Sequence, residues 1–449
     1  MFTEELLRAA DENRKKDAIV WRDRHYTYGA LLDSITQWDD RIRASGLARG
    51  SVVALDADFS PEAVAALLAL VRAGCVVVPL SSAIKGQRTE FLVIAEMEAI
   101  VDLSDPAGAS IQHTGTTAAH ELLVRLKTIG HPGLILFSSG STGKSKAAVH
   151  DFVPLLAKFA VRRASRRMLA FLLFDHIGGV NTLLYVISNA GTLITVEDRS
   201  PAAICAAIER YSVEVLPTTP TFLHLLLLSD SHKQFDLSSL KLVTYGTEVM
   251  PENTLRRLRE VMPHVELQQT YGLSELGILR SKSKSSDSPW VKIGGEGFET
   301  RVRDGLLEVR ARSAMLGYLN APSPFTEGGW FRTGDAVDVD GEYFRILGRR
   351  SEIINVGGEK VFPAEVETLL ETMPGVEEAV VAAQPSAITG QVVVARVKLS
   401  AEESLSAFRT RMRQYCRDRL APFKIPQKVI LVDQPMHGVR FKKLRRERI

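Results

Sequence analysis

Apolar and polar positions along the chain follow two rhythms. Short runs rich in branched apolar residues read as buried strands: Val52 to Leu55, Cys75 to Leu80, Leu134 to Phe137, Met168 to Phe174, Thr192 to Val196, Val213 to Leu216 and Leu240 to Thr244. Between them lie stretches with helical spacing, Pro61 to Ala73, Val153 to Ala164 and Thr182 to Ala190. Strand, helix, strand in that order predicts parallel sheets joined by crossover helices. Ahead of these, residues 2–45 alternate helical patterning with a short strand pair, Ala18 to Trp21 and His25 to Tyr28. The stretch from Asp102 to Gly133 is polar and irregular except for helical spacing at Ala119 to Leu126. From Val291 to Gly348 brief strand signals are separated by Gly, Pro and Asp turns, which predicts a β-rich portion.

Beyond Gly348 the rhythm starts afresh. A helix from Ala364 to Thr372, strands at Glu378 to Ala382 and Val392 to Val397, a helix from Leu405 to Leu420 and a strand at Lys428 to Val432 suffice for a small α+β domain. The expected division is therefore residues 1–348, a linker at 349–351, and 352–449.

Composition narrows the class without naming it. A chain of 449 residues with 45% hydrophobic and 24% charged positions has the make-up of a globular protein of more than one domain. A net charge of +3 gives no electrostatic case for nucleic acid as a partner. Cys75, Cys205 and Cys416 are odd in number and widely spaced, which predicts reduced core thiols and neither disulfides nor a zinc site. No apolar run approaches the ~18 residues of a membrane span, and the start lacks a basic segment followed by an apolar one, so the expectation is a cytoplasmic protein.

The chemistry concentrates after the strand at Leu134. It runs into Ser138-Ser-Gly-Ser-Thr-Gly-Lys-Ser-Lys146, where glycines at 140 and 143 allow a tight turn, and Ser138, Ser139, Ser141 and Thr142 add hydroxyls beside two lysines. Such a loop suits a polyphosphate. A Walker A loop shares its Gly143-Lys144-Ser145 ending but requires glycine where Ser138 stands, and an ordinary Gly/Ser surface loop has the same composition.

Three further segments stand in a fixed order: Thr270-Tyr-Gly-Leu-Ser-Glu275, Gly329-Trp-Phe-Arg-Thr-Gly-Asp335 and Gly348-Arg-Arg-Ser-Glu352. Together with the Ser/Gly loop they resemble the motifs of the adenylate-forming superfamily: acyl-CoA synthetases, peptide-synthetase adenylation domains and luciferases. Ser145 replaces a proline of the family loop. The resemblance extends from about residue 5 to 445. It implies a large N-terminal domain of two stacked α/β sheet subdomains and a small β-rich subdomain, followed by a small mobile α+β domain. It also implies activation of a carboxylic acid by ATP and Mg²⁺ as an acyl-adenylate, with release of pyrophosphate, and then transfer to a nucleophile.

Residue roles follow from the same resemblance. Ser138, Ser139, Gly140, Ser141, Thr142, Gly143 and Lys146 are expected around the phosphates, Tyr271 against adenine, Ser274 near the α-phosphate and Glu275 on Mg²⁺. Asp335 and Arg349 are expected at the ribose, and Gly246, Thr247, Glu248, Thr270 and Gly272 elsewhere around the nucleotide. His176, Gly179, Tyr245, Gly246, Gly272 and Leu273 are expected to line the acid pocket, where glycines (Gly178 included) leave room for a flat ring. An aryl or planar unsaturated acid is the preferred substrate. Ser351 stands at the hinge, where the family has Asp or Lys, and Gly357 and Gly358 are expected to let a thiol pass.

The tail departs from the family. Its pattern places lysine directly after a glycine, whereas Val439 follows Gly438 here. Lys442, Lys443 or Arg440 then supplies the charge from a shifted register, and Lys146, Thr142, Glu275 and His176 complete the expected catalytic group. The acceptor is expected to be CoA; a carrier-protein thiol or a nitrogen nucleophile is the alternative, and a nucleotide-binding protein without turnover is a third reading. Monomer and homodimer are equally compatible with the sequence.

Overall fold

The computed structural model describes residues 2–103, 109–139 and 145–445. Two seven-stranded sheets carry the first part of the chain. One runs in the order Glu266–Gln269, Leu242–Tyr245, Val215–Thr218, Arg167–Leu169, Thr192–Ile194, Asp17–Trp21 and Arg24–Thr27, all parallel except the final hairpin pair. The other runs Gly317–Tyr318, Ser145–Asp151, Gly133–Ser139, Val76–Leu80, Val52–Asp56, Ala99–Asp102 and Ser110–His113, parallel at its centre. The apolar runs of the sequence supply most of these strands. Helix Pro61–Arg72 begins on Ser60, whose hydroxyl accepts from the Ala63 amide, and is buried from Ala63 to Val71, as expected of a helix apolar on every side. Tyr28 ties the start of helix Tyr28–Ala44 to the same core, its hydroxyl donating to the Val186 and Gly191 carbonyls.

A six-stranded antiparallel sheet follows, built from segments between Ser281 and Arg349, which matches the expected β-rich portion. The last part has a separate core. It is formed by residues between Ile354 and Val429, with strands Val376–Ser386 and Gly390–Leu399 packed under helices Pro363–Leu370 and Leu405–Cys416. The three cysteines are free and buried.

Two expected elements are shorter than their patterns. The helix placed at Val153 to Ala164 ends at Ala157, because residues 160–165 are exposed and offer no apolar face to hold further turns. The strand placed at Met168 to Phe174 keeps its ladder only to Leu169. From Phe171 the chain leaves the sheet yet stays mostly buried, crossing the start of helix Ile177–Ser188. That helix is capped by the His176 ring, whose Nδ1 accepts from the Gly178 amide at 3.0 Å. The crossing is very close: a Cβ at Gly179 would lie 2.0 Å from the Leu173 carbonyl oxygen and one at Gly178 2.4 Å from Leu172 Cδ1. Packing of protein on protein thus fills the room expected there for a flat ring.

Glu367 fastens the tail to the last domain. Nearly inaccessible, it accepts from Arg445 Nε at 2.8 Å and Nη2 at 2.7 Å, and from the Val381 amide at 3.0 Å, with Lys443 Nζ at 3.4 Å. Burial by itself would raise the Glu367 pKa, but the charges of Lys443 and Arg445 prevail and hold it at about 2.

Two predictions follow from these contacts. Gly179→Ala should destabilise the protein by about 1–3 kcal/mol through forced displacement of the Leu173 backbone, read from the urea midpoint. The folded Glu367 titrates below its ordinary 4.5, so its stabilisation is present above that pH and is lost as pH falls towards 2. Glu367→Gln should remove this one-proton dependence from stability measured over the acid range, and should cost about 3–5 kcal/mol at neutral pH by leaving two cations short of a partner.

Candidate active site

Strands Gly133–Ser139 and Ser145–Asp151 pair antiparallel, with Ser138 opposite Lys146 and Ser139 opposite Ser145. The expected phosphate-loop residues Gly140, Ser141, Thr142 and Gly143 lie outside the described residues, but the two strands deliver the loop's ends to one edge. Asn320 fixes that edge, accepting from the Ala147 amide and donating to the Ser145 carbonyl. Lys146 Nζ lies 5.2 Å from the centre of the Tyr318 ring, and the Tyr318 hydroxyl donates to Glu275 at 2.6 Å. Lys146 and Glu275, 129 residues apart in the sequence, therefore share one aromatic neighbour that the motifs did not reveal.

Thr270 to Glu275 does not start a helix. Short strands Gly272–Leu273 and Gly277–Ile278 pair with each other and leave Ser274 and Glu275 in the turn between them. His150, fully buried, braces the turn by donating from Nε2 to the Ser274 carbonyl at 2.6 Å; burial lowers its pKa and keeps it neutral. Tyr271 is buried as well. Its hydroxyl donates to Asp335 at 2.6 Å, and Asp335 faces Arg349 across paired strands with a nitrogen–oxygen distance of 3.4 Å. Burial raises the Asp335 pKa against the opposing pull of Arg349 and of the Tyr271 hydrogen bond.

Several expected pocket residues prove to be supports. Tyr245 is 1% exposed within the core of the first sheet, and Leu273 is packed in the β-rich core. A Cβ at Gly246 would meet the Thr270 carbonyl oxygen at 2.7 Å and one at Gly272 would meet Ile278 at 2.5 Å. These glycines set the spacing of neighbouring segments rather than open space for a ligand. Glu248, expected around the nucleotide, is engaged with the tail: its Oε2 accepts from the Thr221 hydroxyl at 2.6 Å and its Oε1 from the Lys443 amide at 2.8 Å.

A cavity beside the tail lies elsewhere. Partly open, it lies among Phe171, Leu172, His176, Thr247, Arg440 and Lys442, with about 270 Å³ of space that includes its mouth to solvent. The tail enters it as a tight hairpin, with His437 bridged to Lys443 and the Gly438 amide donating to the Lys442 carbonyl. The hairpin separates the two candidate lysines. Lys443 Nζ is bound to Glu371 at 2.5 Å and to the Ala379 carbonyl at 3.1 Å, inside the last domain. Lys442 lines the cavity, where burial lowers its pKa to about 8 against the field of Glu248. His176, placed at the same cavity by its cap on the helix, is held neutral by burial and by the cations Lys442 and Arg440. Because its Nδ1 accepts the Gly178 amide, its proton is on Nε2.

Two expected features stand apart from this cluster. Ser351 lies in the single turn Arg350–Glu352. Gly357 and Gly358, both with positive φ, form the tip of the hairpin Ile354–Val356 and Glu359–Val361, with only open space where their side chains would be.

Among the described residues no helix is long and apolar enough to cross a membrane. The family model for AMP-binding enzymes matches residues 6–303, and that for the AMP-binding enzyme C-terminal domain matches residues 365–438. The chain is 29% identical over 475 residues to indoleacetate–CoA ligase of Aromatoleum aromaticum, spanning 93% of this chain and 92% of that protein. It is 26% identical over 462 residues to feruloyl-CoA synthase of an Amycolatopsis species, spanning 91% and 90%. Among solved structures, ATP-bound MatB from Rhodopseudomonas palustris superposes with a TM-score of 0.80 at 25% identity, over 98% of this chain and 97% of that one. With its sheets, its nucleotide motifs and both family models in agreement, the chain belongs to the AMP-binding enzymes of the adenylate-forming superfamily.

Proposed function

We propose that this protein is an AMP-forming acid–CoA ligase acting on a ring-bearing carboxylic acid. The observation that carries the reading is Lys442, delivered by the tail into a cavity that it shares with His176 and with the apolar walls Phe171, Leu172 and Leu173. Relatives named for indoleacetate and feruloyl-CoA support a ring-bearing acid and CoA as its acceptor.

In the first step an acid oxygen attacks the α-phosphorus of ATP and pyrophosphate leaves. The acid is already ionised at neutral pH, so no general base is needed. The Lys442 ammonium and the Nε2–H of His176 orient the carboxylate and offset the charge that accumulates as the new bond forms. Ser138, Lys146 and Thr142 hold the polyphosphate. Asp335, kept in place by Tyr271 and Arg349, accepts ribose hydroxyls. A single carboxylate flanked by a tyrosine hydroxyl suits Mg²⁺, which is bound through one or two carboxylates together with substrate phosphates. Glu275 is the residue that would hold it, and the ion would neutralise phosphate charge. In the second step residues 349–351 act as the hinge between domains 1–348 and 352–449, the tail withdraws, and the Gly357–Gly358 turn comes to the cleft to admit the CoA thiol.

The test is pyrophosphate release from ATP with aryl, cinnamoyl, aliphatic and amino acids, each with and without CoA. Release that needs a ring-bearing acid and yields a thioester bears the reading out. Release that CoA leaves unchanged assigns the adenylate to a different acceptor, and silence with every acid removes the proposal.

Lys442→Ala should lower acid-dependent ATP–pyrophosphate exchange by about 100-fold or more, the usual scale for loss of one group that stabilises transition-state charge. Lys443→Ala should change the exchange far less. Since the cationic form of Lys442 is the active one and its pKa is about 8, wild-type exchange should fall as pH rises through that value, and Lys442→Arg should move the decline upward.

A further inference from the structure

The tail hairpin is gripped by the first domain at nearly every residue around Lys442. Arg199 Nη2 donates to the Val439 carbonyl at 2.9 Å, and Arg440 Nη2 donates to Asp175 at 2.8 Å. The Thr219 hydroxyl donates to the Phe441 carbonyl at 2.8 Å, and the Lys443 amide donates to Glu248 at 2.8 Å. The Phe441 ring packs 5.3 Å from Phe171 and 5.5 Å from Phe222, with His437 stacked on it at 5.5 Å. Phe441 has φ +50, a strained conformation for a residue with a side chain, so the surroundings must impose this shape.

Of these contacts only Arg440 with Asp175 joins opposite charges across the two domains. Asp175 is 4% exposed, and the same oxygen that takes Arg440 accepts from the Ser81 hydroxyl at 2.8 Å. Its other oxygen has no hydrogen-bond partner among the described residues. A carboxylate so placed is costly to leave without its cation, and Arg440 precedes Lys442 by two positions on the hairpin. The geometry points to Asp175 and Arg440 as positioning residues: their ion pair seats the tail hairpin so that Lys442 stands at the acid for adenylation, and it must open before the thioester step. This deepens the ligase reading and rests on it for the kinetic half of the argument.

The experiment compares wild type with Asp175→Asn, Arg440→Gln, Arg440→Lys and the double variant Asp175→Asn/Arg440→Gln. Two measurements are made on the full chain. Amide hydrogen exchange at residues 438–443 reads the seating of the hairpin whether or not the protein turns over. Kinetics read ATP–pyrophosphate exchange with indoleacetate, or with the acid from the panel that wild type uses fastest, and separately the thioester formed from that acid's added adenylate and CoA. The expected result is faster amide exchange in both single variants and a fall of about 30-fold or more in the kcat of pyrophosphate exchange, the scale for truncating one partner of a buried charge pair. The double variant should be no worse than either single one, Arg440→Lys should recover part of the loss, and thioester formation from added adenylate should be kept. Unchanged amide exchange in the hairpin overturns the inference, as does a loss of both half-reactions together. A rise confined to the KM of the acid also overturns it, because Arg440 would then face the substrate and not Asp175. If wild type is silent with every acid, the ligase reading fails while hydrogen exchange still decides the clamp.

Discussion

Desolvation of charge governs how this molecule is put together. A lone ion buried in protein is untenable, and the chain buries carboxylates at places where segments far apart in sequence meet. Asp335 lies between the β-rich strands and the adjoining Tyr271, Glu367 between the last domain and the tail, and Asp175 between the first domain and the tail. Each is accompanied by a cation or a hydroxyl from another segment. Because each carboxylate needs a companion from elsewhere, the relative placement of these segments is specified more sharply than apolar contact alone would specify it.

The same constraint separates Lys442 from Lys443. Neighbours on an extended hairpin project to opposite sides, so one lysine reaches Glu371 and the other the cavity beside His176. Lys443 is held with two carboxylates and keeps its charge strongly. Lys442, less well compensated, is brought down to about 8 by burial. Two identical side chains, one residue apart, thus acquire different chemistry from their surroundings.

Much of the architecture was legible in the pattern of apolar runs, since parallel strands covered on both faces are continuous stretches of Val, Ile and Leu. Where that reading went astray, at Phe171 to Phe174, a buried wall leaving a sheet carries the same pattern as the strand it leaves. The segments Thr270 to Glu275 and Gly329 to Asp335 pointed to the candidate site because their unusual residues are contiguous in the chain, and the structure brings Tyr271 and Asp335 together. Tyr318, Ser81 and the bond from Asp175 to Arg440 were not legible, for each is an ordinary residue made significant by a partner far off in sequence. The pocket glycines misled for a related reason: glycine signals a close approach, and a sequence does not say whether a ligand or the backbone itself is what approaches.

Arg445 and Lys443 bind the end of the tail to the helix Pro363–Leu370 and its surroundings, on the same body that carries the Gly357–Gly358 turn. In the proposed cycle, withdrawing Lys442 and presenting that turn are therefore a single displacement of one lever. On that cycle the two would not be engaged together, and the protein would have an interlock: the group that makes the adenylate would vacate the cleft before the entrance for the thiol could form, so that mechanics as well as chemistry would set the order of the half-reactions.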